Sequence, residues 1–422
     1  TPTVTNTPTP TPSQDEFGLM WQGYQDGCIT ETCYKQSIFY TSNDWKGRIL
    51  INHSGTDQTS PTKISNDGKK FATHGYSDPF NNGGNISYPS SALFVHSLSN
   101  PGQQCKVVDH GNVHGGFDWS PDNKHIAYAY ATGWGTTGWS VYIKDCDNPD
   151  SMTHVFSLSG TGYIRSVDWS EDGSRLLVAS SQNSNWGPAT NQTRLFDVTD
   201  INNPSQLTLL NQGNGRQLSP NGDFYTAIDP VTGKWGVHST FNQSYPGLTF
   251  FDNAQPLGTA NSHSVGDLSW SNDGSKILFW SNLIAEGIYS INLDGSGLAL
   301  LTPANHIVPM SHSYSQSPDG NKLAYVEVFG NNGNDRQIRI MNMAGGETQT
   351  AGEIIDAKTI FPSYPTWVRS DYIRNYTPIS YAYSDNGNIK IARSDGTIET
   401  VTNSSHTDEA PSIDRSGNKV TF

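Results

Sequence analysis

The sequence is poor in charged residues and has no long apolar run. Only 15% of its 422 residues are charged and 34% are hydrophobic. We expect no membrane span, because no apolar stretch approaches the roughly 20 residues that a spanning helix requires. The formal net charge of −14 repels nucleic acid and anionic membranes, so we expect neither as a partner.

The motifs of common enzyme families are also missing. The chain contains no nucleophile elbow, phosphate-binding loop, dinucleotide-binding fingerprint, H-E-x-x-H pair or EF-hand loop. Because no motif identifies a catalytic residue, we favour a protein that is not an enzyme.

Cysteine is scarce, and its spacing matches neither a zinc site nor a redox C-x-x-C pair. The four cysteines are Cys28, Cys33, Cys105 and Cys146. We expect two disulfides, with Cys28–Cys33 as the favoured pair because a short loop brings these residues together. The alternative is four buried thiols.

Residues 1–13 form a Pro/Thr-rich tract. Proline lacks a backbone donor, so this tract is predicted to be an extended arm or linker. Such tracts are usually extracellular and often carry O-linked sugar. We therefore expect a secreted or cell-surface protein whose signal sequence was removed ahead of Thr1, with an intracellular location as the alternative. The predicted sugar attachment sites are Thr3, Thr5, Thr7, Thr9 and Thr11.

What the sequence does have is a motif that recurs eight times, 46 to 55 residues apart. An apolar or aromatic residue is followed by Ser, an Asp-Gly or Asn-Gly turn and an alternating strand, with variations in single copies. Asp-Gly and Asn-Gly supply the positive φ of a tight hairpin, and Ser can bond the turn backbone. The period fits one four-stranded sheet. The leading residues are Ile64, Trp119, Trp169, Leu218, Trp270, Gln316, Trp367 and Ile413.

This pattern resembles the TolB-like, PD40-type and WD40-like, β-propeller repeat over residues 37–422. The resemblance implies an all-β fold, a single propeller of about eight four-stranded blades, with seven as the alternative. Pairing of N- and C-terminal strands would close the ring. Residues 14–36 do not match the repeat and are predicted to be a small cap, which a disulfide would staple. Propellers of this type serve as enzymes, binding modules and scaffolds.

In such propellers one face is formed by the loops from second to third strands and by the loops between sheets. Exposed aromatic rings there would suit sugar rings, whose C–H faces pack on aromatic faces. The alternative is that these rings fold onto their own loops. The candidate ligand-binding residues are Tyr76, Trp134, Trp139, Trp186 and Trp235.

Histidines in the linking loops suggest a second hypothesis. Uronate-specific polysaccharide lyases of propeller fold use His, Tyr, Arg and sometimes a bound cation, because they need a base near the C5 proton and positive charge at the carboxylate. Arg165 or Arg216 could supply that charge. The alternative is that the histidines are polar cap residues. The catalytic candidates are His110, His114, His263, His306 and His312.

The sequence therefore favours a secreted, non-catalytic propeller that binds a glycan or an extracellular protein. It could also build a homo-oligomer or a filament through its N-terminal arm or a donated strand. The alternative is a polysaccharide lyase with a His-rich site on the loop face. A divalent cation is the one cofactor considered, and its ligands are unknown.

Overall fold

The computed structural model describes 33 β-strands and many of their connecting turns. The described residues are 17–24, 36–41, 49–53, 60–75, 92–98, 104–108, 116–131, 138–148, 151–159, 162–181, 191–210, 214–228, 235–241, 248–249, 265–281, 285–303, 314–329, 335–343, 349–351, 363–369, 381–385, 388–392, 398–402, 412–413 and 420–421. Within these ranges, no helix has the length and apolarity needed to cross a membrane.

The strands are short, as expected for this turn-rich composition. In chain order they are β1–β3 (Phe17–Tyr24, Gln36–Thr41, Ile49–His53), β4–β7 (Ser60–Ile64, Lys70–Gly75, Ala92–Ser97, Gln104–Val108), β8–β11 (Phe117–Trp119, His125–Ala131, Trp139–Asp145, Thr153–Ser157), β12–β15 (Tyr163–Trp169, Arg175–Ser181, Asn191–Asp197, Ser205–Leu210), β16–β19 (Asn214–Leu218, Phe224–Ile228, Trp235–Ser239, Leu248–Thr249), β20–β23 (Val265–Trp270, Lys276–Ser281, Gly287–Asn292, Ala299–Leu300), β24–β27 (Tyr314–Gln316, Lys322–Phe329, Asp335–Asn342, Gln349–Ala351), β28 (Ser363–Arg369), β29–β31 (Tyr381–Asp385, Asn388–Ala392, Ile398–Thr400) and β32–β33 (Ser412–Ile413, Val420–Thr421).

Six antiparallel sheets are each built from four consecutive strands, and we number them first to sixth from β4–β7 to β24–β27. A composite sheet, which we call the closing sheet, has the order β28-β1-β2-β3. The first strands of neighbouring sheets contact one another, and β28 contacts both β24 and β4. Hydrogen bonds join β20 to β16 and to β24. The first strands thus surround one axis, and the fold is a single all-β propeller.

The predicted eight blades are not found among the described residues. The repeat predicts about eight blades, or seven, whereas the described residues form six sheets of four consecutive strands and, beside them in the ring, the composite closing sheet. The last motif copy does not start a blade, because β32 and β33 form a two-stranded sheet and β29–β31 a three-stranded one. The motif marks a first strand and its turn, and it does not specify which strands complete the sheet.

The closing sheet joins the two ends of the propeller. In β1, Leu19 lies opposite Trp367 of β28 and opposite Thr41 of β2. An N-terminal strand therefore closes the ring, as the repeat predicts, but its partner is β28 rather than the strand at Val420–Thr421. The predicted cap over residues 14–36 is wrong for 17–24, which are β1. The physical reason is burial, since Phe17 and Leu19 pack into a core with the sixth sheet.

The motif turns have one structure in all six sheets. In the fifth sheet, the buried Ser271 Oγ donates to Asp273 Oδ1 (2.6 Å) and accepts the backbone N–H of Lys276 (2.9 Å). The fourth turn residue has a positive φ, from 63° to 75°, which favours Gly or Asn. These residues are Gly68, Asn123, Gly173, Gly222, Gly274 and Gly320. The prediction that Asp-Gly and Asn-Gly turns set these hairpins is confirmed.

The residue directly before each turn, which we call the slot residue, is a tryptophan in four copies, and each of these tryptophans lies between neighbouring sheets. The indole N–H of Trp119 donates to the Lys63 carbonyl of the preceding sheet (3.1 Å), and that of Trp367 donates to the Ser315 carbonyl (3.0 Å). Trp119 and Trp367 are 4% and 8% exposed. The slot residue therefore both fills the interface and fixes the height of one first strand against the next.

We expect Ser271→Ala to lower the free energy of unfolding by about 1–3 kcal/mol, because it removes the buried hydroxyl that accepts the Lys276 N–H and donates to Asp273. The matched control is Ser275→Ala. Ser275 also bonds the Asp273 carboxylate but is exposed, so its loss should cost less than about 0.5 kcal/mol. Denaturant unfolding of both variants measures this, and equal losses would contradict the role given to Ser271.

Candidate functional site

Most predicted site residues lie outside the described part of the chain. These are the histidines His110, His114, His263, His306 and His312, together with Tyr76, Trp134 and Trp186. The cysteines Cys28 and Cys33 and the threonines of the arm also lie outside it. Trp235 is the first residue of β18, and its side chain is not described.

The sequence predicts that Trp139 lies in a loop and binds a ligand, and the predicted loop position is wrong. Trp139 is the first residue of β10, lies opposite Ala131 and is 1% exposed. Its indole packs in the core between the second and third sheets. A ring with so little accessible surface cannot stack on a ligand, so Trp139 supports the site from beneath.

The aromatic ring next to Trp139 is that of Tyr163, which is not among the site residues predicted from the sequence. The ring centroids of Trp139 and Tyr163 are 6.0 Å apart, and the Arg165 guanidinium carbon lies 6.0 Å from the Tyr163 centroid. Trp139, Tyr163 and Arg165 thus form a ladder, which we call the loop-face ladder. Tyr163 and Arg165 are partly exposed. The signal that could have found Tyr163 is its position two residues before Arg165 at the start of a first strand.

The backbone of β12 positions the ladder at the loop face. Strand β12 enters from the connection between sheets and ends at the Ser170 turn, so Tyr163 and Arg165 lie at its loop-face end. The register with β13 shifts between Ile164 and Ser166, a β-bulge that re-aims Arg165. Gly116, with φ +88°, fits against this bulge, because a Cβ there would lie 3.5 Å from Ser166 Cα.

The guanidinium of Arg165 is cationic in this setting. Burial lowers the pKa of Arg165 and Tyr163 partly opposes the shift, but a guanidinium that starts above 12 stays charged near neutral pH. A planar cation beside a partly exposed phenol ring is suited to a ligand that has both an anionic group and an apolar face.

A second cluster lies on three successive first strands, nearer the turn face. Lys63 of β4 donates to Asp118 Oδ1 of β8 (3.0 Å), and Asp168 occupies the position of β12 equivalent to Asp118. We call Lys63, Asp118 and Asp168 the axial cluster. Lys63 is partly exposed, with 38% of its side-chain surface accessible.

Both carboxylates of the axial cluster also hold the next sheet. The backbone N–H of Trp169 donates to Asp118 Oδ2 (2.8 Å), and that of Leu218 donates to Asp168 Oδ2 (2.6 Å). Burial is the main cause that raises the pKa of Asp168 to about 8, and the charge of Asp118 adds to it while Lys63 opposes it. Burial lowers the pKa of Lys63, but the charges of Asp118 and Asp168 outweigh it, so the net shift is upward. Near neutral pH the cluster therefore contains the Lys63 ammonium and a largely protonated Asp168 carboxyl.

Metal binding has no support in this part of the molecule. Among the residues that the structure describes, no three His, Cys, Asp or Glu side chains are grouped so that they could hold an ion. The carboxylates of the motif turns are engaged by their own turns, as Asp172 is by Ser170 and Ser174.

No protein-family model and no curated protein sequence matches the chain. Similar solved structures include the periplasmic gluconolactonase of Pseudomonas aeruginosa, with 12% identity over 83% of this chain and 99% of that one and a TM-score of 0.52. An oligogalacturonate lyase in complex with manganese has 15% identity over 90% and 95% of the two chains and a TM-score of 0.50. TolB from Acinetobacter baumannii is also similar, with 16% identity over 84% and 83% and a TM-score of 0.43. At such identities, the first two likenesses support the propeller fold and leave activity open.

Asp168 makes stability depend on pH. The folded protein keeps its proton up to about pH 8, whereas the unfolded chain releases it near pH 4. The stabilisation is therefore complete below about pH 4 and is lost as the pH rises towards 8. We expect Asp168→Asn, which keeps an oxygen for the Leu218 N–H, to reduce the fall in unfolding free energy between pH 5 and 8 by at most about 1.4 kcal/mol per pH unit.

The control for this measurement is Asp273→Asn. Hydrogen bonds from Ser271 and Ser275 lower the pKa of Asp273, so it titrates below this window and its variant should keep the wild-type slope. Denaturant unfolding at several pH values gives both slopes. An unchanged slope in Asp168→Asn would show that Asp168 is ionised in the folded protein throughout the window.

Proposed function

We propose that the protein is a secreted, non-catalytic propeller that binds an acidic glycan on its loop face. The Pro/Thr arm supports the extracellular location, because such tracts are typical of exported proteins. The loop-face ladder is the observation that carries the choice of ligand. A uronic acid presents a carboxylate to a guanidinium and a C–H face to an aromatic ring, and Arg165 and Tyr163 offer both groups side by side.

The net charge of the protein does not oppose this ligand at short range. The formal charge of −14 acts through solvent and is screened beyond about 10 Å at moderate salt, whereas the guanidinium would contact the carboxylate directly. Trp139 is the buried member of the loop-face ladder and gives Tyr163 a rigid support. A rigid support limits the entropy lost on binding.

We expect Arg165→Gln to weaken binding to a uronate-containing polysaccharide about 10- to 100-fold, the loss that a charge-assisted hydrogen bond predicts. The matched control is Arg175→Gln. Arg175 also lies over an aromatic ring, 4.2 Å from the Phe241 centroid, but on the opposite face. Affinity electrophoresis or calorimetry with polygalacturonate measures the change. Equal affinity of wild type and Arg165→Gln would reject the ladder as the binding site.

A uronate-specific lyase is the second candidate, because the same ladder has a phenol beside a guanidinium. In such chemistry the cation neutralises the carboxylate and a base removes the C5 proton. The similarity to a structure of oligogalacturonate lyase makes this candidate worth testing. Incubation with polygalacturonate and measurement of absorbance from unsaturated products decides it: product formation that Tyr163→Phe abolishes would replace the binding proposal with the enzymatic one.

The N-terminal arm supports a further role in assembly. Strand β15 is the outer strand of the third sheet and pairs with β14. Residues 205–207 of β15 are exposed. An open edge of this kind can accept a strand from another molecule.

We propose that copies of the chain join through the arm, and we expect deletion of residues 1–13 to abolish any filaments that electron microscopy shows for the intact protein. Circular dichroism checks that the shortened chain retains its β structure. Isolated discs from the intact protein at high concentration would end the filament proposal and leave the glycan proposal standing.

A further inference from the structure

Two cysteines from neighbouring sheets meet in the core between the first and second sheets. Cys105 lies in β7, the outer strand of the first sheet, and Cys146 directly follows β10 of the second. Both are free thiols, both are partly buried, and both pack against the same apolar cluster. The thiols are close enough for one to hydrogen-bond to the other.

Contacts on both sides hold the two segments in register. Lys144 Nζ donates to the Val107 carbonyl (3.4 Å), and Lys70 Nζ lies 3.4 Å from Asp147 Oδ1. Each contact joins the first sheet to the second within two residues of a cysteine. The backbone N–H of Cys146 also donates to the Lys124 carbonyl (3.3 Å). The separation of the thiols is thus set by the packing of two sheets rather than by a loop.

The surroundings favour a thiolate on Cys105. The hydrogen bond from Cys146 and the nearby charges of Lys144 and Lys70 lower the pKa of Cys105, against burial and Asp147. The hydrogen bond to Cys105 and burial raise the pKa of Cys146. Positive charge near a thiol favours its reactive thiolate form, and Lys144 and Lys70 supply that charge.

We propose that Cys105 and Cys146 form a reversible disulfide that clasps the first and second sheets together. The oxidant is a low-molecular-weight disulfide. The Cys105 thiolate attacks one of its sulfurs, which forms a mixed disulfide and releases one thiolate. Cys146 then transfers its proton to the first released thiolate and attacks the Cys105 sulfur, which forms the Cys105–Cys146 bond and releases the second thiolate. Two cysteine thiols are oxidised and one disulfide reagent is reduced.

The reaction can be followed by peptide mapping of the full chain. We expect a linked Cys105–Cys146 peptide after incubation of the reduced protein with glutathione disulfide, followed by alkylation and digestion. In Cys146→Ser the reaction should stop at glutathione attached to Cys105. In the matched control, Cys28→Ser with Cys33→Ser, the linked peptide should form as in wild type. Full alkylation of both Cys105 and Cys146 after this incubation, or linkage of either to Cys28 or Cys33, would overturn the proposal.

Two further measurements do not require the serine variants to fold: the unfolding midpoint of the unchanged protein and the rate at which Cys105 is labelled. The unfolding midpoint of the otherwise unchanged protein should be higher oxidised than reduced, by on the order of 5 °C, because the bond closes a loop between two sheets. Lys144→Gln should slow the labelling of Cys105 by a thiol reagent several-fold, since it removes a nearby positive charge. An unchanged midpoint combined with an unchanged labelling rate would show that the two thiols are inert core residues.

Discussion

The propeller depends on how the first strand of each sheet is held against the first strand of the next. At three interfaces a tryptophan indole N–H reaches a carbonyl of the preceding first strand, from Trp119, Trp270 and Trp367. Each bond satisfies a buried polar pair and sets the relative height of two strands. These bonds link first strands at separate points of the ring, and within the closing sheet β1 pairs with β28.

At two other interfaces, carboxylates take the place of this indole bond. The Trp169 indole donates within its own turn, to the Gly173 carbonyl, and the next sheet has Leu218 in the slot. At these two interfaces Asp118 and Asp168 accept the backbone N–H of the slot residue. The axial cluster therefore has a structural origin. Its consequence is electrostatic, because burial of Asp168, and to a lesser degree the nearby charge of Asp118, raises the pKa of Asp168.

The two faces of the ring differ in how much their residues vary between sheets. The turn face consists of nearly identical Ser-x-Asp-Gly hairpins whose polar groups are used locally, while the loop-face ends of the strands differ between sheets. The loop-face ladder and the thiol pair both occur where two sheets meet, and both combine residues from different sheets. At the interfaces between sheets, this fold therefore places side chains of different chemistry in contact, while the repeated turns keep the same structure.

The amino-acid sequence by itself determined the local features of this protein. The turn conformations and the strands that flank them follow from contacts within a few residues, since Asp-Gly supplies the positive φ and Ser supplies the acceptor. The recurrence of this motif carries the resemblance to propeller repeats. Only the tertiary structure decided the number of sheets, the pairing of β1 with β28 and the burial of Trp139. It also decided the meeting of Tyr163 with Arg165 and Trp139, and of Cys105 with Cys146. Trp139 and Tyr163 lie on different sheets, as do the two cysteines, so their approach depends on how whole sheets pack, and no spacing along the chain encodes that.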